Sequence, residues 1–141
     1  VGLWSANKIN IFNTRICPLQ INWLGYKEDM VSVLQSCSIL CFPSTYGEGL
    51  PKVLIESASC GIPVIAYDVP GSNEVIKNKF NGYLAAPGDI DSFEHLLISL
   101  MKDKTKRELM GKNGRKLVTQ NFSREIISEQ TLIVWEKVLN S

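Results

Sequence analysis

Short continuous apolar runs alternate along this chain with segments whose apolar positions recur at helical spacing. The runs at 20–24, 38–42, 63–67 and 83–86 have the length of strands, and Gly25, Pro43 and Pro87-Gly88 close three of them. A run without polar alternation suits a strand covered on both faces, as in a parallel sheet. Between the runs, Met30, Val33 and Leu34 stand at i, i+3, i+4. Pro51 fits the first position of a helix that continues through Val53, Leu54 and Ala58, with Gly61 as its C-terminal cap. Glu74-Val75-Ile76 reads as a short helix opening, and Asn81-Gly82 as a turn.

Further on, residues 91–94 (Asp-Ser-Phe-Glu) have capping-box spacing ahead of an apolar face made by Phe93, Leu96, Leu97 and Leu100. Residues 105–108 (Thr-Lys-Arg-Glu) form a second box, opening a helix expected to break near Gly111 and Gly114. Ser123 caps a last long helix carrying Ile126, Ile127, Val134 and Val138, and Trp135 on it is read as core or as cover for another domain. Strand and helix alternating through short links predict a Rossmann-like α/β domain: a parallel sheet with helices on both faces.

Composition narrows the class. The 141 residues are 45% hydrophobic and 21% charged, which excludes a disordered tail or a disulfide-stapled mini-protein. Lys+Arg 15 against Asp+Glu 14 gives no electrostatic case for nucleic acid. No apolar run approaches a membrane span, and no charged start leads into a secretion-type apolar stretch. Cysteines stand at 17, 37, 41 and 60 without a CxxC pair, and His95 is the one histidine, so the reading has no metal site. Cys37, Cys41 and Cys60 sit among apolar neighbours and are expected to be reduced, buried packing residues of a cytoplasmic protein. His95, away from every strand end, is read as a surface or packing residue. The basic stretch Lys102, Lys104, Lys106, Arg107, Lys112, Arg115 and Lys116 is read as a solvated face, with contact to an anionic membrane surface as the alternative.

Ligands of such sheets bind at the carboxyl ends of the strands. The richest of these ends is Ser44-Thr45-Tyr46-Gly47-Glu48-Gly49-Leu50-Pro51. Its glycines allow close backbone approach, and the helix that follows offers free N–H groups and a positive dipole end, both favourable to phosphate. Glu48 and Glu56 flank this turn, and carboxylates accept hydrogen bonds from sugar or ribose hydroxyls. Taken alone the spacing is weak, because Lys52 stands four residues before Glu56 and the two could form an ordinary surface ion pair.

The stretches Phe42-Pro43-Ser44, Glu48-Gly49-Leu50-Pro51-Lys52-Val53-Leu54-Ile55-Glu56-Ser57 and Cys60-Gly61-Ile62-Pro63-Val64-Ile65 together resemble the C-terminal domain of family 4 glycosyltransferases. Asp68-Val69-Pro70-Gly71-Ser72-Asn73-Glu74-Val75-Ile76, Asn81-Gly82-Tyr83-Leu84, Met110-Gly111 and Asn121-Phe122-Ser123 continue the resemblance toward the C-terminus. Enzymes of that family have the GT-B fold, two Rossmann-like domains facing a cleft, and carry two glutamates with seven residues between them, as Glu48 and Glu56 have. The Glu-Gly-Leu-Pro form looks like the branch that builds bacterial capsule, O-antigen (lipopolysaccharide) or lipid-linked glycan chains.

The resemblance implies a set of roles. Glu48 would be the catalytic residue, on hydroxyls of the transferred sugar near the reacting carbon. Glu56 would bind the ribose, and the amides around Gly49, Leu50, Lys52 and Val53 would face the sugar and diphosphate. Gly25 and Tyr26 would lie beside the base, where Tyr26 could stack. Pro51, standing where many relatives have Gly, has no N–H to offer. Glu74 is left between capping its own helix and touching the donor. The donor substrate would be a nucleotide-diphosphate sugar, a UDP-sugar ahead of a GDP-sugar, with no cofactor and no metal.

The reading for residues 1–141 is therefore one nucleotide-sugar-binding domain, the C-terminal part of a longer two-domain retaining transferase acting on a lipid-linked or polysaccharide acceptor. The acceptor-binding domain, and the Arg and Lys that such enzymes set against the departing diphosphate, would precede Val1. Lys8 and Arg15 do not match that context. Two other readings stay open: a non-catalytic nucleotide-binding or partner-docking module, and a GT-B sugar-nucleotide epimerase.

Overall fold

A computed structural model describes residues 24–47 and 49–140. Cys17, Lys8, Arg15, Glu48 and all but Leu24 of the run at 20–24 lie outside the described residues. The elements follow in the order α1 (Met30–Gln35), β1 (Leu40–Phe42), α2 (Lys52–Ser59), β2 (Val64–Tyr67), α3 (Ser72–Val75), β3 (Gly82–Ala85), α4 (Ile90–Lys102), α5 (Lys104–Asn121) and α6 (Arg124–Leu139). Among the described residues the strands form one parallel sheet in the order β1-β2-β3, with Leu40 opposite Val64 and Val64 opposite Gly82. The Rossmann-like class expected from the alternation is the one observed.

The central strand explains why its sequence shows no polar alternation. All four residues of β2 are buried. Val64 and Ala66 face one way, into a cluster with Leu54, Val75 and Ile76. Ile65 and Tyr67 face the other way, among Tyr83, Phe93, Leu100 and Met110. Helix α2 covers the first face and α4 the second, so both layers draw on one strand. Gly82 begins β3 rather than completing a turn: a β-carbon there would meet the Val64 carbonyl oxygen at 2.2 Å. The turn itself is held by Asn81, whose buried amide donates to the Val75 carbonyl and whose Oδ1 accepts from the Lys77 amide at 2.7 Å.

Several expected boundaries move. Pro51 is the residue before α2, at φ −65° and ψ 113°, and the first helical residue is Lys52. Gly61 does end the helix as expected, at φ +75°. Its amide donates to Ala58 and that of Ile62 to Ser57, which satisfies two terminal carbonyls. Helix α4 is capped by Asp89, not Asp91, and α5 by Asp103, not Thr105; each Asp accepts from the amide three residues on. Helix α5 does not break at its glycines. Gly111 and Gly114 are both buried within it, where it lies against α2. Ser123 caps α6 as expected, yet no residue of α6 is buried, so Trp135 is not core. Cys37 and Cys60 are partly buried, but Cys41, opposite Ile65 on the outer strand of the described sheet, is exposed rather than buried. No helix among the described residues is long and apolar enough to cross a membrane.

Candidate functional site

Because the strands are parallel, the chain leaves Phe42, Tyr67 and Ala85 on one edge of the sheet. The first two exits touch. Gly47, in the loop after β1, packs on the Pro70 ring in the loop after β2: a β-carbon at Gly47 would lie 3.4 Å from Pro70 Cβ. Gly49, two residues later, faces open space. The Ser44 hydroxyl donates to the Tyr46 carbonyl, and the Tyr46 ring is exposed.

Helix α2 starts from this loop without a side-chain cap. The Leu54 amide donates to the Pro51 carbonyl at 3.1 Å. The amides of Lys52 and Val53, in the first turn, have no acceptor among the described residues. Pro51 is buried and rigid in φ, so it fixes the direction in which these two donors point. One turn further along, the Glu56 carboxylate lies 3.3 Å from the Lys52 ammonium. The lysine side chain is 87% exposed and the glutamate 26%. Amides with no acceptor among the described residues, a positive helix end and a largely covered carboxylate thus share one corner.

The second loop is braced rather than open. The Asn73 amide donates to Asp68 Oδ1 at 2.9 Å, and the Lys77 ammonium donates to the Asn73 carbonyl. Gly71 turns the chain at φ +88° into α3. Ser72, fully buried, has a hydroxyl with no partner among the described residues. The site reading from sequence did not single it out, because burial of one serine leaves no trace in hydrophobic spacing. Glu74 is exposed in the first turn of α3, where its charge complements the helix dipole.

The structure thus brings Gly49, Leu50, Lys52, Val53 and Glu56 together at the start of α2. Glu48 lies outside the described residues. Gly25, at φ +64°, and the exposed Tyr26 stand where the described chain begins, and no hydrogen bond among the described residues joins either to the α2 corner. His95 is exposed on α4, its Nδ1 2.7 Å from the Asp91 carbonyl oxygen, and takes no part.

The sequence profile of the glycosyl transferases group 1 matches residues 11–117. The chain belongs to that family. Among its relatives, an Escherichia coli UDP-Gal:alpha-D-GlcNAc-diphosphoundecaprenol alpha-1,3-galactosyltransferase is 34% identical over 100 residues, covering 71% of this chain and 25% of that protein. The capsular polysaccharide biosynthesis glycosyltransferase CapM of Staphylococcus aureus is 33% identical over 107 residues, covering 76% and 28%. In fold, the chain resembles Anabaena HepE in its complex with UDP-glucose, with a TM-score of 0.81 at 23% identity, over 93% of this chain and 36% of that one. This group 1 glycosyltransferase chain spans about a quarter to a third of the length of these proteins.

Proposed function

We propose that this chain is the nucleotide-sugar-binding half of a retaining glycosyltransferase, one that transfers a hexose or N-acetylhexosamine to a lipid-linked or polysaccharide acceptor. The observation that carries this reading is the start of α2, where amides without an acceptor among the described residues meet Glu56 in a family that has relatives using or binding UDP-sugars. On this reading Glu56 accepts the ribose hydroxyls, and the amides of Gly49, Leu50, Lys52 and Val53 receive the diphosphate. Pro51 gives none, so the cluster has one donor fewer than a glycine there would supply. When the bond from the anomeric carbon to the diphosphate oxygen breaks, its electron pair stays on the diphosphate. The helix end and its amides stabilise that growing charge. Glu48 holds hydroxyls of the sugar beside the reacting carbon, and the acceptor hydroxyl oxygen bonds to that same carbon while its proton passes to the departing diphosphate. The lipid-linked or glycan acceptor would sit on a second domain. Uracil ranks ahead of guanine as the base because the E. coli relative uses UDP-Gal and HepE holds UDP-glucose.

A thermal-shift titration of the chain with UDP, GDP and ADP tests the reading. A nucleotide present at about ten times its Kd stabilises the fold by about 1.4 kcal/mol, which is about 4 °C for a domain of this size. UDP is expected to give the largest shift, and Glu56→Ala to remove most of it. No shift with any of the three, or one that Glu56→Ala leaves intact, would defeat the ribose assignment.

A further inference from the structure

Lys52 and Glu56 straddle two tasks of the proposed donor site. Glu56 is to accept ribose hydroxyls, yet its Oε1 already lies 3.3 Å from the Lys52 ammonium. An oxygen engaged by a cation has fewer lone pairs free for hydroxyls. The two side chains are not equally held: the glutamate is largely covered, whereas the lysine stands almost wholly in solvent. The acid is therefore set by the fold, and the cation is the partner able to move.

Helix side chains lean toward the N-terminus of their helix. A lysine in the first helical position that leaves Glu56 thus swings toward the Gly49–Leu50 end. There the amides of Lys52 and Val53 have no acceptor among the described residues. An exposed i,i+4 ion pair is weak and easily exchanged. A diphosphate at a helix N-terminus, with several charged oxygens, attracts an ammonium more strongly than one carboxylate does.

We propose that Lys52 changes partners when the donor binds. Its ammonium neutralises Glu56 in the free chain, then crosses to the diphosphate and leaves the carboxylate to the ribose. This rests on the donor-site reading above, which uses only the backbone amide of Lys52, and adds a side-chain cation from within this chain. No covalent bond changes; one ion pair is replaced by another. The exchange makes Lys52 favour a nucleoside diphosphate and oppose the bare nucleoside, because only the diphosphate compensates for the pair that is broken.

The test is an NMR titration of the chain and of Lys52→Met with UDP, uridine, GDP and guanosine at two salt concentrations. For the nucleotide that binds, Lys52→Met is expected to weaken the diphosphate about fivefold, the scale of one partly screened charged contact. The same variant should tighten the matching nucleoside about twofold, and the diphosphate should lose part of its salt dependence. Lys52→Arg should restore diphosphate binding. Equal losses for diphosphate and nucleoside, or a nucleoside affinity that does not rise, would overturn the exchange while leaving the donor reading in place. Failure of the unaltered chain to bind any of the four ligands would overturn both.

Discussion

Gly111 has no room for a β-carbon. One built there would sit 1.9 Å from the Gly61 carbonyl oxygen and 2.8 Å from its carbonyl carbon, both backbone atoms that cannot swing aside. Gly114, on the same buried side of α5, differs: its β-carbon would meet Ala58 and Asn81 no closer than 3.5 Å, an ordinary contact. The two glycines are thus one residue type in one helix with opposite reasons to be there. Gly111→Ala is expected to destabilise the fold by about 3 kcal/mol, roughly 10 °C in Tm, by forcing α5 away from the end of α2. Gly114→Ala should be neutral, or stabilise by about 0.5–1 kcal/mol through helix propensity alone. Paired thermal melts check this, and equal effects at the two positions would show that the approach of α5 to Gly61 is not what Gly111 provides.

At the scale of elements, Asp103 ends α4 and caps α5, its carboxylate accepting from the Lys106 amide at 2.8 Å. Arg107 returns the favour to α4 by donating to its final carbonyls at Leu100 and Met101. Asp103→Ala is expected to cost about 1 kcal/mol, whereas Thr105→Ala, inside the first turn, should stay within about 0.5 kcal/mol. Urea melts of the two variants decide which residue starts the helix. The contrast also shows how far local pattern reaches. The strands are legible because each is a continuous apolar run, which in β2 reflects burial on both faces, and Gly61 and Ser123 because a cap is a local event. Asp89 and Asp103 are hidden as caps because Asp-x-x-Glu and Thr-x-x-Glu boxes lie two residues downstream, and spacing alone cannot rank competing caps. Gly111 reads as a break because its reason for being glycine lies at Gly61, just past the end of α2 and some fifty residues earlier in the chain, whereas Gly114 reads as one although its surroundings would accept a methyl group. The start of α2 was legible as a glycine-and-acid turn, and the Lys52–Glu56 pair from its spacing. The seat of Gly47 on Pro70 was not, since contact between two strand-end loops depends on the sheet that aligns them.

Taken as a whole, the molecule is built outward from β2, and its layers close well until α6. Every apolar side chain that sequence spacing assigned to that helix faces solvent at least in part, and Leu132, Trp135, Val138 and Leu139 form a stripe at i, i+3, i+6 and i+7 that is 55%, 62%, 68% and 83% exposed. Monomeric soluble domains rarely leave a contiguous apolar surface of this kind uncovered. The helix forms none the less: Ser123 caps its start, Glu125 and Lys137 complement its dipole, and half of its sixteen residues are good helix formers. The stripe is thus a preformed surface whose cover is not among the described residues. The 141-residue chain is therefore expected to enhance the fluorescence of an apolar-surface dye, and to self-associate in static light scattering as concentration rises. Trp135→Glu together with Val138→Lys should suppress both while leaving the Tm within about 2 °C, because neither side chain contributes to the buried core. A strictly monomeric chain without dye response would mean that α6 folds back onto the domain in solution and buries the stripe there.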